Sequence, residues 1–178
     1  MTSLREENPE ETVTAPVQEQ APRNGSAVGA APSLSIQQFA QIADVNIEFG
    51  DLTVLVGAQG TGKSIALEWL KTAVDGKQLV TELERAGQTS RDPKGLIDLI
   101  FGVGMASAYR AETSVRFNGK LVTLTGIKKI GDGAERVFFI PAHRSMLISD
   151  GWAAPFQKLT ADTPVVARLF SQNLYDRF

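Results

Sequence analysis

An α/β fold with a small antiparallel insertion is expected of this 178-residue chain, and three features carry that expectation. An apolar run, Leu52 to Val56, passes directly into the glycine-rich stretch Gly57 to Ser64 and then into a helical pattern. A second apolar run, Val137 to Ile140, has the same character of a strand buried on both faces. Between the two, Asn118-Gly119 is flanked by alternating apolar residues, a strong short-range hairpin signal because both turn positions need positive φ.

Composition narrows the possibilities. Apolar residues make up 43% of the chain and charged residues 21%, with a formal net charge of −2, so one ordinary globular domain is expected and charge selects no partner. With no cysteine and a single histidine, a disulfide framework, a thiolate nucleophile and a Cys/His metal cluster are all excluded; any metal must be held by oxygen. The chain has no run of 18 apolar residues and no secretory start, so a cytoplasmic protein without a membrane span is expected.

The first 33 residues hold four of the eight prolines, no aromatic residue, and five acids (Glu6, Glu7, Glu10, Glu11, Glu19) against Arg5 and Arg23. Such a segment buries too little apolar surface to offset its ordering entropy, so residues 1–33 are expected to be a disordered acidic Pro/Ala-rich tail and residues 34–178 the domain. Leu34 and Ile36, then Val45, Ile47 and Phe49, alternate with polar neighbours as two short strands. Gly50-Asp51 turns the chain into the run Leu52 to Val56, expected as a buried strand. After the glycines, Ala66, Trp69, Leu70, Ala73 and Val74 mark one helix face, with Gly76 placed to end the helix.

That order of strand, loop and helix gives the glycine-rich stretch its meaning. Residues Gly57, Ala58, Gln59, Gly60, Thr61, Gly62, Lys63 and Ser64 fit G-x-x-x-x-G-K-[ST], a phosphate-binding loop, or Walker A motif. A buried strand would deliver the loop to a helix N-terminus, where unpaired amides and the helix dipole favour anionic oxygens. Glycine permits close approach of backbone to phosphate. Lys63 would bring full charge to the β and γ phosphates, as the candidate catalytic residue, and Ser64 would offer its hydroxyl to Mg²⁺. A chance match in a chain of this length is expected on the order of once in a hundred.

From Leu34 to about Leu70, the stretch IQQFAQIADVNIEFGDLTVLVGAQGTGKS resembles the N-terminal lobe of ABC/SMC/RecF-like AAA-family P-loop ATPases. Ala58, Gln59 and Thr61 replace the Pro, Asn and Ser usual in that loop, and none of these changes removes a needed donor. The resemblance implies a P-loop NTPase core that binds ATP and Mg²⁺ and hydrolyses ATP. It also implies a head-to-tail homodimer, and DNA or an effector protein as a further partner. In that family the acid that positions water and the S-G-G signature lie in a C-terminal lobe, which is expected to be missing here.

Further along, Leu79, Val80 and Leu83 suggest a short helix ended near Gly87, and LIDLIFGV a second apolar segment. The hairpin at Val115, Phe117, Asn118-Gly119, Val122 and Leu124 is expected as an antiparallel insertion over about residues 113–130. His143 and Arg144 follow the Val137 to Ile140 run, where ligand crevices form, so both are candidate site residues; a surface ion pair at Arg144 is the competing expectation. Asp150, ending MLISD, is the nearest candidate for an acidic strand end. Phe39 is a candidate to face adenine, against the alternative of a core aromatic. Asp162-Thr163-Pro164 starts a final helix with Val166, Leu169, Phe170 and Leu174 on one face. A nucleotide-binding module or incomplete gene product without turnover, and a small-molecule kinase of the P-loop class, stay open as alternatives. A GTPase does not, because N-K-x-D is absent.

Overall fold

The computed structural model describes residues 31–90, 92–141, 148–149, 152–153 and 164–175. Most of the expected tail, together with His143, Arg144 and Asp150, lies outside these described residues.

Strands β1 (Ser33–Phe39) and β2 (Ile42–Glu48) pair antiparallel, with Leu34 opposite Ile47 and Ile36 opposite Val45. The period-2 alternation sends Leu34, Ile36 and Ile47 into the core and leaves Asp44, Asn46 and Glu48 in solvent. Strand β3 (Tyr109–Phe117) lies antiparallel on the other side of β1, and β4 (Lys120–Leu121) returns from it, giving the order β2-β1-β3-β4. Asn118 (φ 49°) and Gly119 (φ 73°) form the hairpin turn, as two left-handed positions in succession require. Asn118 also ties the sheet's end together: its Oδ1 accepts from Ser33 N at 2.8 Å and its N–H donates to Ser33 O at 2.8 Å. Through β3 the hairpin joins the two N-terminal strands in one antiparallel sheet.

Helix α1 (Lys63–Arg85) packs Ala66, Trp69, Ala73, Leu79 and Leu83 into the core. It does not stop at Gly76. Asp75 (φ −114°, ψ 26°) bends it, and the helix then continues as the segment expected to be a separate short helix. Gly76 serves close approach instead: a Cβ there would meet Ile127 O at 2.5 Å. The helix ends at Gly87 (φ 70°), where Gln88 N–H donates to Leu83 O and Gly87 N–H to Glu84 O, the paired bonds of a Schellman motif. Helix α2 (Gly95–Phe101) buries Ile97, Ile100 and Phe101. Helix α3 (Val165–Tyr175) buries Val165, Val166, Leu169 and Phe170 and contacts both α1 and α2, so its apolar face is covered within the chain. A short antiparallel pair, β5 (Ile148–Ser149) and β6 (Trp152–Ala153), precedes it.

The two expected buried strands are the main departure. Residues 53–56 and 137–140 belong to no strand or helix, and Leu52 lies in a bend. Leu52, Val54 and Val56 are 84%, 69% and 89% exposed, and Phe138 and Ile140 are 40% and 55% exposed. A strand is buried on both faces only when neighbours flank it, and among the described residues no strand does so here.

A buried charged network fixes the start of the second run. Lys71, 1% exposed, donates to Asp75 Oδ2 (2.8 Å), Glu135 Oε1 (2.7 Å) and Val137 O (2.6 Å). Asp75 accepts in turn from the N–H groups of Arg136 and Val137, at 3.1 and 2.8 Å. Asn173 of α3 donates to Glu135 Oε2 at 2.7 Å. Every proton of the ammonium is used, the condition under which a buried charge is tolerated. No helix among the described residues is long and apolar enough to cross a membrane.

Candidate functional site

The exposed run 52–56 enters the glycine-rich loop, which bends back to start α1 at Lys63. Two glycines make the bend possible, Gly60 at φ 81° and Gly62 at φ 92°. Gly62 is the N-cap of α1 and has no side chain to satisfy the first-turn amides; the first helical bond runs from Ala66 N–H to Gly62 O. The N–H groups ahead of it are therefore orphan donors at the positive end of α1. No acidic side chain competes for that position in the first turn.

Lys63 curls back into the loop it closes. Its Nζ donates to Gly57 O at 2.7 Å, to Ala58 O at 2.6 Å and to Thr61 Oγ1 at 3.3 Å, while the Thr61 hydroxyl donates to Ala58 O at 3.0 Å. The loop thus surrounds a full positive charge with its own backbone. Ser64, the next residue, is exposed in the first turn of the same helix. Two cavities share part of this loop as lining. The larger, about 650 Å³, lies between β2 and residues 54–57, and the smaller, about 220 Å³, is rimmed by residues 59–65; both reach Thr61, Gly62 and Lys63.

Gly57 through Ser64 are thus brought together in one loop at a helix N-terminus. Phe39 is not part of that arrangement. It is fully buried, its ring 5.2 Å from Trp69, 5.3 Å from Phe101 and 6.3 Å from Tyr109, so the core position replaces the adenine-facing one: an apolar ring between strand and helix gains more by packing with three aromatics. One helical turn beyond Ser64, burial pushes the Glu68 carboxyl up to about 8. Gln41, in the turn between β1 and β2, lines both cavities and carries no motif that would single it out. The Lys71–Asp75 pair was also missed, although its i, i+4 spacing is a readable signal.

Residues 33–138, more than half of the chain, match the family model described as AAA domain, and the chain belongs to that family of ATP-binding domains. It is 31% identical over 119 residues to the DNA repair protein RecN of Bacillus subtilis (strain 168), an alignment covering 55% of this chain and 20% of that protein. It is 30% identical over 135 residues to the DNA repair protein RecN of Halalkalibacterium halodurans, covering 64% of this chain and 24% of the relative. The chain therefore spans about a fifth to a quarter of the length of these relatives, and the expected likeness to SMC-like ATPases is borne out. No solved structure matches.

Proposed function

We propose that this chain binds ATP with Mg²⁺ through the Walker A loop Gly57–Ser64, as the nucleotide-binding part of an SMC-like ATPase. The observation that carries the reading is the setting of Lys63: a lysine ringed by loop carbonyls, at a helix N-terminus with orphan amides, inside an AAA domain. The donor set fits a triphosphate. On binding, the Lys63 ammonium exchanges at least part of its bonds to Gly57 and Ala58 for phosphate oxygens, and the amides of the first turn of α1 gain anionic partners. The Ser64 hydroxyl is the group that would hold Mg²⁺, whose chemistry is to neutralise charge on the β and γ phosphates.

Hydrolysis is a further step in this reading and needs a carboxylate to orient water. Asp150, the sequence candidate, lies outside the described residues. The exposed side chains of Leu52, Val54, Val56, Phe138 and Ile140 support the view that additional strands complete the sheet in the working ATPase, one of them carrying that carboxylate. A head-to-tail pairing of two copies is carried over from the resemblance. Association with DNA is carried over from the description of the relatives as DNA repair proteins. The test is calorimetric titration of the full chain with Mg-ATP: the parent binds and Lys63→Ala does not. Equal binding by the two sinks the assignment. A rise in ATP turnover on adding duplex DNA supports the DNA role, and no change counts against it.

A further inference from the structure

The end of β1 and the turn joining it to β2 are held in an unfavourable backbone shape beside the phosphate loop. Gln38 and Ala40 both have φ 51°, in the left-handed region that non-glycine residues rarely adopt, and the β1–β3 register shifts between Gln37 and Phe39. The surroundings enforce this shape. The Thr113 hydroxyl donates to Gln38 O at 2.5 Å, Arg110 N–H donates to Thr113 Oγ1 at 2.9 Å, and Phe39 between the two strained residues is locked into the aromatic core. Strain maintained by its surroundings is characteristic of binding sites.

The strained turn places the two residues after it against the loop. Ile42 fills the space in front of Gly62, where a Cβ would come within 2.6 Å of Ile42 Cγ1, and Gln41 Cγ would stand 3.5 Å from the same Cβ. Gln41 is exposed, and its carboxamide has no hydrogen-bond partner among the described residues. The lining shared by the two cavities consists of Gln41, Thr61, Gly62 and Lys63. Of these four, three belong to the loop itself. Gln41 alone comes from the β1–β2 turn.

We propose that Gln41 is a nucleotide contact, its carboxamide N–H donating to an oxygen of the phosphate chain where that chain crosses from one cavity to the other. The inference rests on ATP binding at the loop and adds to it a residue from outside the motif. A carboxamide suits the position because it donates without bringing a second full charge beside Lys63, and it can rotate to meet the ligand. The strain in the turn then has a use, since a relaxed turn would aim residue 41 elsewhere.

The test is Mg-ATP affinity by calorimetry for the full chain, compared with Gln41→Ala, Gln41→Glu, Gln41→Lys and Lys63→Ala, with adenosine as a second titrant. Losing the donor is expected to weaken Mg-ATP binding about tenfold, and a carboxylate facing the phosphates about a hundredfold. Gln41→Lys should bind at least as tightly as the parent. Adenosine, lacking phosphates, should not distinguish the parent from Gln41→Ala. If Lys63→Ala abolishes binding while all three Gln41 variants match the parent, the Gln41 contact is wrong and the loop assignment stands. If Lys63→Ala binds like the parent, the loop assignment fails first. Equal losses for Ala, Glu and Lys, or a loss of adenosine affinity in Gln41→Ala, would show a packing role and overturn the contact.

Discussion

Gly62→Ala probes the junction on which the site depends, because this glycine is required twice. Its φ of 92° places an alanine in the left-handed region, at a cost of roughly 1–2 kcal/mol. Its missing Cβ is also space that Ile42 already occupies, at 2.6 Å to Cγ1 and 3.1 Å to Cδ1. The first of these atoms lies next to the branch point, so it cannot swing away as the tip of a long side chain would. Overpacking of this kind costs about 1–3 kcal/mol, and the two effects together give a loss of roughly 2–5 kcal/mol. Gly60→Ala is the internal control: its φ is 81°, yet nothing stands within 4 Å of the added methyl, so only the backbone cost of roughly 1–2 kcal/mol remains. Urea unfolding, with unchanged m-values, measures both. The double variant Gly62→Ala/Ile42→Ala should recover about 1–2 kcal/mol relative to the sum of the singles. Equal losses at Gly60 and Gly62, or strict additivity with Ile42→Ala, would refute the claim that the β1–β2 turn is packed onto the loop.

Lys71→Met removes the ammonium that sits between Asp75 and Glu135, leaving a fully buried carboxylate without its cation; a loss of about 3–5 kcal/mol in urea unfolding is expected, and a loss below 1 kcal/mol would mean the network is dispensable. Glu68 supplies a pH test. Its carboxyl holds a proton to about pH 8 in the folded chain but releases it near 4.5 when unfolded, so its contribution to stability falls as pH rises from about 4.5 to about 8. Glu68→Gln should therefore gain on the parent between pH 5 and 8.5, by on the order of 1–3 kcal/mol for a half-buried group; a pH-independent difference between the two would contradict the shift.

The elements set by local signals were legible in the sequence. Leu34, Ile36 and Ile47 alternate with polar residues and form the predicted strands, and Asn118-Gly119 turns where its positive φ angles demand. Gly57 to Ser64 form the loop from residues that serve no other evident purpose. What failed depended on partners distant in sequence. Residues 52–56 and 137–140 read as buried strands because their composition suits burial, but composition does not report whether neighbouring strands flank them. Gly76 read as a helix stop because glycine has two uses, and only the approach of Ile127 separates them. Gln41 gave no signal, since its place beside the loop comes from a strained turn and from Thr113, 72 positions on in the numbering. Phe39 was read both as an adenine contact and as core, and the ring of Trp69, Phe101 and Tyr109 decided for the core.

The central claim is that phosphates sit on the backbone amides between Gly57 and the first turn of α1. Residue-resolved amide exchange, with and without saturating Mg-ATP, tests it most directly. Slowed exchange concentrated at Gly60 to Ile65, absent when Lys63→Ala is treated identically, is the predicted result. Binding of Mg-ATP that leaves those amides unchanged, or that protects a different segment, would contradict it.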